Sequence, residues 1–189
     1  MKVKIGDIAH LQFGFYAKPE EAGEVAYLQV KHFDKLGKVS SEMDAFIPMN
    51  KKNESHLLQN EDILFVGKGL RNFAWTYHSS IGPAIASSIF FVIKADKAKV
   101  LPEYLTTLFN LPQSQAYFQT LGAGSSIPSI RKSELEAFTI NLPPLEVQEK
   151  AVAIKLLHEQ DIELSHKIIA EKEKVYQSVI HQLIQHSYD

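Results

Sequence analysis

The stretch FVGKGLRNFAW, Phe65 to Trp75, sets two cations and an amide among glycines and aromatics. Lys68 and Arg71 carry charges that suit phosphate oxygens or guanine edges, and Asn72 has the paired donor and acceptor that match an adenine edge. Gly67 and Gly69 let the backbone approach a ligand closely. The plainer alternative is a solvated turn with Phe73 and Trp75 packed inward. A nucleotide-binding loop is excluded, because the spacer after an earlier glycine and the hydroxyl residue after the lysine are both missing.

Two further stretches have the same character. GAGSSIPSIRK, Gly122 to Lys132, offers backbone amides, the hydroxyls of Ser125, Ser126 and Ser129, and the charges of Arg131 and Lys132, a set that can hold a phosphate. Its alternative is a linker whose glycines only end one helix and start the next element. VKHFDKLGK, Val30 to Lys38, supplies Lys31, His32, Lys35 and Lys38 as phosphate contacts, or else an ordinary hairpin.

Catalytic chemistry has less to stand on. The eight histidines make no ligand spacing, and cysteine is absent, which removes disulfides, thiolate catalysis and the usual structural zinc sites. NLPPL, Asn141 to Leu145, differs from the Asn-Pro-Pro-aromatic motif of amino-methyltransferases: Leu142 intrudes and Leu145 replaces the aromatic. No Ser-His-Asp order or nuclease-like acidic cluster can be assembled. No metal and no cofactor is expected.

The elements that must position these residues read as short strands and helices. Val3–Ile5, Ile8–Leu11, Val25–Val30, Ile63–Val66, Ala86–Ile93 and Phe138–Ile140 have strand character, with another extended piece ending near Pro48. Helices are expected from Leu101 to about Asn110, from Gln113 to Leu121, and for a turn at Lys132–Leu135. The fold class is α+β, a mixed-sheet domain over residues 1–142 followed by a long helical segment over 143–189.

That segment holds no glycine or proline after Pro144. Val147, Ala151, Ile154, Leu157, Leu164, Ile168, Val175 and Val179 recur at spacings of three, four or seven, a one-sided apolar stripe. A helix running to about His186 would extend about 60 Å at 1.5 Å per residue. Such a stripe must be buried against another long helix, and the sequence holds no second one, so a partner chain is implied. Pro143 and Pro144 form a stiff joint that aims the helix, and Glu146 and Glu149 suit the positive end of its dipole.

Composition sets limits. Of 189 residues, 45% are hydrophobic and 22% charged, the balance of a globular chain. No apolar run approaches a bilayer span and no signal-peptide pattern follows the first residues, so a cytoplasmic location is expected. Net charge is −2, split as +1 over residues 1–140 and −3 over 141–189, which leaves the front half as the place for an anionic ligand.

INLPPLEVQEKAVAI, preceded by GAGSSIPSIRKSELEAF, resembles the junction between a target-recognition domain and a conserved helix in the DNA specificity (S) subunits of type I restriction-modification systems. KIGDIAHLQFGF, VAYLQVKHFD and LLQNEDILFVGKG extend the resemblance over essentially the whole chain. Members of that family typically hold two recognition domains and two long helices paired antiparallel. This sequence resembles a half-subunit with one of each, which would dimerise through its helix as an antiparallel coiled coil. The resemblance implies a non-catalytic reader of one half of a bipartite double-stranded DNA site, with a methyltransferase (M) subunit bound through the helices and a restriction (R) subunit in the larger assembly. A twofold homodimer of this kind reads an inverted repeat with a fixed gap. The competing expectations are a DNA-modifying enzyme with unrecognised motifs and a helical adaptor unrelated to DNA.

Overall fold

Strand Ile63–Val66 is buried at every residue, which tells where the centre of the fold lies. It sits inside a four-stranded sheet covered on both faces. We number the strands β1 (Lys2–Lys4), β2 (Ala9–Phe13), β3 (Val25–Leu28), β4 (Phe46–Ile47), β5 (Ile63–Val66), β6 (Ala74–Thr76), β7 (Ala84–Ala86), β8 (Phe90–Ala95) and β9 (Thr139–Asn141). The helices are α1 (Pro102–Asn110), α2 (Pro112–Leu121), α3 (Lys132–Ala137) and α4 (Leu145–Gln185). The structure is a computed structural model and describes residues 1–34, 37–39, 43–121 and 127–185.

The central sheet has the order β2-β8-β5-β6 and is antiparallel throughout. A second sheet, β4-β3-β7, pairs β3 with β4 antiparallel and with β7 parallel, and β1 pairs with β9 across the ends of the head. The fold is therefore mixed α+β, as expected. Alternation along β5 divides the core. Leu64 and Val66 share one cluster with Phe90, Val92, Ala84, Ala86 and Leu28. Phe65, on the other face, meets the rings of Phe109 and Phe118 from α1 and α2 at 5.4 and 4.8 Å. A strand apolar at every position is the pattern expected when both faces are covered. The outer strand β6 is capped by a side chain: Asn110 Nδ2 donates to Ala74 O and its Oδ1 accepts from Ala74 N, both at 2.8 Å. That pair imitates a ladder rung and closes an edge to further pairing.

Three sequence expectations change. Ala86–Ile93, read as one strand, is two, because Phe90 N–H donates to Ser87 O at 3.0 Å and the turn passes the chain from one sheet to the other. Val25–Val30 stops as a strand at Leu28, where a tight helical turn, Val30–His32, begins. Strand β6, inside the basic stretch, was not foreseen.

The chain divides into two compact units, Met1–Glu149 and Lys150–Asp189. The first turn of α4 belongs to the first of them. Pro144 opens it by accepting from the amides of Val147 and Gln148 at 3.0 and 3.2 Å. Gln148 has no exposed surface, and it holds three backbone groups. Its Oε1 accepts from Leu101 N at 2.9 Å, and its Nε2 donates to Lys99 O at 3.0 Å and Pro143 O at 2.9 Å. The second unit is a continuous helix whose expected end near His186 lies outside the described residues. Its apolar stripe is open to solvent, with Ile154 67% and Leu157 66% exposed and Leu164, Ile168, Val175 and Val179 also exposed.

Candidate nucleic-acid interface

Two basic stretches some sixty positions apart in sequence meet in the fold. After β5 the chain turns at Gly67, where an added Cβ would lie 2.4 Å from Cε2 of Phe91, so any larger residue collides with the core. Gly67 O accepts from Ile130 N at 2.8 Å, and Gly69 N donates to Pro128 O at 2.9 Å. Between them Lys68 pairs with Ser129 as an isolated antiparallel bridge. Gly69 has φ +119°, a conformation that favours glycine. The two segments are thus zipped by main-chain hydrogen bonds.

Beside the zipper lies a cleft of about 250 Å³. Its lining includes Lys68, Ser129, Arg131 and Lys132, with Phe13 and Phe91 as an aromatic floor whose centroids are 5.1 Å apart. Among the described residues the lining holds no acidic residue. Arg131 is placed by its position before α3, where its amide donates to Glu134 Oε2 at 2.7 Å. Lys132 lies 3.5 Å from Glu136 one turn on, a half-exposed pair of small energetic weight. Among the described residues no carboxylate is paired with the side chain of Lys68 or Arg131. Cations, a hydroxyl and an aromatic floor together can take a phosphate and the sugar or base attached to it.

The other expected residues are placed differently. Arg71 lies over the ring of Phe73, 5.1 Å from its centroid, and donates to Phe33 O at 3.5 Å. Asn72 Nδ2 donates to Val66 O at 2.7 Å, reinforcing the hairpin closed by Val66 N–H to Phe73 O. Reading an adenine requires both ends of the amide, and here one end is committed to the main chain. His32 is 1% exposed and lies in a clamp. Its Nδ1 accepts from Gln29 N at 3.1 Å, which puts the ring proton on Nε2, and that nitrogen donates to Asp44 Oδ1 at 2.7 Å. The sequence offered His32 as a phosphate contact, with an ordinary hairpin as the alternative; in the structure its ring is buried and held by Asp44, twelve residues on. Lys31 pairs with the same carboxylate at 2.7 Å. Lys31 and then His32 hold Asp44 down to about 2. Ser125 and Ser126 lie outside the described residues, as does Lys35.

Sequence reasoning missed two residues of this region. Phe13 was visible as an aromatic before a glycine, and alternation along β2 puts it on the face of buried Leu11, yet it is 53% exposed. Leu70, an aliphatic residue between Gly69 and Arg71, gave no signal beyond its incongruity.

The geometry describes a mixed-sheet head with a cationic cleft, followed by a long helix, and comparison with known proteins gives this class an identity. The chain matches the type I restriction modification DNA specificity domain over residues 1–174, and it belongs to that family. The expected class, a recognition subunit and not an enzyme, is the class of that family. Similar folds occur in the HsdS subunit from Thermoanaerobacter tengcongensis, with TM-score 0.66, 19% identity, and coverage of 92% of this chain and 45% of that one. The type I restriction-modification S subunit from M. genitalium matches with TM-score 0.62 at 15% identity, over 86% of this chain and 40% of that one. A chain from a structure describing assembly and conformational transition of the type I system matches with TM-score 0.61 at 18% identity, over 92% and 41%. This chain therefore spans less than half the length of each. No curated protein sequence matches it. Among the described residues no helix is long and apolar enough to cross a membrane.

Proposed function

We propose that this chain reads one half of a bipartite double-stranded DNA site as the specificity subunit of a type I restriction-modification system. The observation that carries the reading is the acid-free cleft built where the Lys68 turn is zipped to the segment leading to Arg131, within a chain of the DNA specificity family. Lys68, Arg131 and Lys132 hold phosphates and set the register, while Arg71 and Asn72, held by Phe73 and Val66 O, fix the shape of the turn that faces the bases. Lys31 takes a peripheral phosphate, and His32 acts indirectly by holding its loop. Ser125 and Ser126 add hydroxyls to the phosphate contact.

The remaining half-site is read by a second copy. The exposed stripe on α4 and coverage of 40–45% of the similar structures support a partner helix in antiparallel pairing. Residues 1–142 then act as the recognition domain and 143–189 as the dimerisation and methyltransferase-docking helix. A methyltransferase subunit and, in the full assembly, a restriction subunit complete the system. Twofold pairing of identical readers selects an inverted repeat.

The test is selection of duplexes from a randomised library by the full chain with its methyltransferase subunit, alongside the mass of the chain in solution. The reading expects an inverted repeat with a fixed gap and two copies per complex. A single asymmetric half-site bound by one copy would refute the dimer, and no selection at any salt concentration would refute the DNA reading.

A further inference from the structure

We propose that Leu70 is a specificity-determining residue that packs against the 5-methyl group of a thymine, so that one position of the half-site is an A·T pair read through its apolar edge. The inference rests on the DNA reading above. Leu70 stands in the turn between β5 and β6 and is 88% exposed, more than any other large apolar side chain among the described residues. Single exposed hydrophobics are common and need no function. What singles out this one is its setting.

The turn is fixed on both sides of Leu70. Gly69 is tied to Pro128 at 2.9 Å, Arg71 is laid on the Phe73 ring, and the Asn72 amide is bound to Val66 O at 2.7 Å. The backbone there is positioned, and the side chain it carries is almost wholly exposed. Two residues before Leu70 is Lys68, whose neighbours across the zipper are Ser129, Arg131 and Lys132. These cations draw a phosphate backbone to this turn. A duplex brought there presents donors, acceptors and one apolar group on its major-groove edges, the thymine methyl. An isobutyl side chain can make no hydrogen bond, so among those groups it matches the methyl alone. Insertion between base steps would first require unstacking them, whereas contact with a methyl requires no deformation of the duplex.

The experiment uses the full chain with its methyltransferase subunit and the duplex chosen from a randomised library. Each thymine is replaced in turn by deoxyuridine, which removes the methyl group and nothing else. One position per half-site should lose about fourfold in affinity, the amount expected for one buried methyl group. In the Leu70→Ala variant that position becomes indifferent to the replacement, while discrimination at the other positions is unchanged. Leu70 has no part in the core, so the variant folds.

A selected half-site without thymine overturns the proposal, as does sensitivity to deoxyuridine that persists in Leu70→Ala. Unstacking seen by 2-aminopurine fluorescence with wild type and lost in the variant would establish a wedge, and would also overturn it. If no duplex is selected, and salt dependence is unchanged in Lys68→Gln and Arg131→Gln, the DNA reading itself has failed. If selection succeeds and residue 70 has no effect, only this inference has failed.

Discussion

Replacing Gln148 by methionine tests how the first turn of the long helix is held. Methionine keeps the length and approximate volume of the side chain and replaces its amide with a thioether that cannot donate and accepts only weakly. Three backbone groups then lose a partner at 2.9 to 3.0 Å: the Leu101 amide and the carbonyls of Lys99 and Pro143. A buried group left without its hydrogen bond costs about 1–3 kcal/mol. These partners are only partly buried, so the low end applies, and three of them give a loss of about 3 kcal/mol. For a chain of this size that lowers Tm by about 6–12 °C. Glutamate at the same position keeps an acceptor for Leu101 but loses both donations and sets a carboxylate against two carbonyls. Gln148→Glu should therefore be at least as unstable as Gln148→Met at neutral pH, and should recover part of the loss as the medium is acidified and the carboxyl gains a proton. The assay is urea unfolding followed by Trp75 fluorescence. If both variants unfold within about 0.5 kcal/mol of the parent, as ordinary surface substitutions do, Gln148 is not an anchor.

Three further predictions concern the head. Lys68→Gln and Arg131→Gln each remove one phosphate contact and should reduce the slope of log affinity against log salt by about 0.9, with half-site preference unchanged; an unaltered slope would take both residues out of the interface. Gly67→Ala drives a methyl into the Phe91 ring, from which its Cβ would be 2.4 Å, and should cost about 1–3 kcal/mol in chemical unfolding. The Asp44 carboxyl, followed by NMR, should titrate near 2 instead of 3.8. Its folded pKa lies below the unfolded value, so the clamp on Lys31 and His32 is fully present above about pH 4 and is lost as pH falls toward 2. A midpoint near 3.8 would show that the clamp does not form in solution.

What the sequence made legible follows from how far each property reaches along the chain. Ile63–Val66 was readable as a buried strand because four consecutive apolar residues between polar turns record burial on both faces. The break between β7 and β8 was hidden, because Ser87 and Ser88 are weak turn formers and the decision rests on two separate sheets each capturing a half. Lys68 and Arg131 were each identifiable by type, whereas their meeting is set by the main-chain bonds of Gly67, Gly69 and their partners, and no local pattern encodes those. The engagement of Asn72 by Val66 O and of His32 by Asp44 likewise depends on neighbours that only the fold supplies.

The same distinction between local and tertiary information bears on the charge. A net charge of −2 argues against binding an anion only if the charges act together, and in salt they act over about 10 Å. In the head several carboxylates have cationic partners of their own, Asp44 with Lys31, Asp62 with Lys94, Glu61 with Lys97 and Asp96 with Lys99, and Glu103 lies 3.3 Å from the His78 ring. Glu134 accepts from the Arg131 amide, and Glu136 is shared with Lys132. The acids that stand in ion pairs are offset close to where they stand, and the cations with no carboxylate partner among the described residues include the two that border the cleft, Lys68 and Arg131. The field that a phosphate approaching the cleft meets depends on the charges within about 10 Å, with Lys68, Arg131 and Lys132 in the lining itself, and not on the total. A near-neutral chain and a cationic cleft are therefore compatible, and under the proposed reading the weak overall attraction favours an affinity drawn from paired sites and partner subunits over one that clings to any duplex.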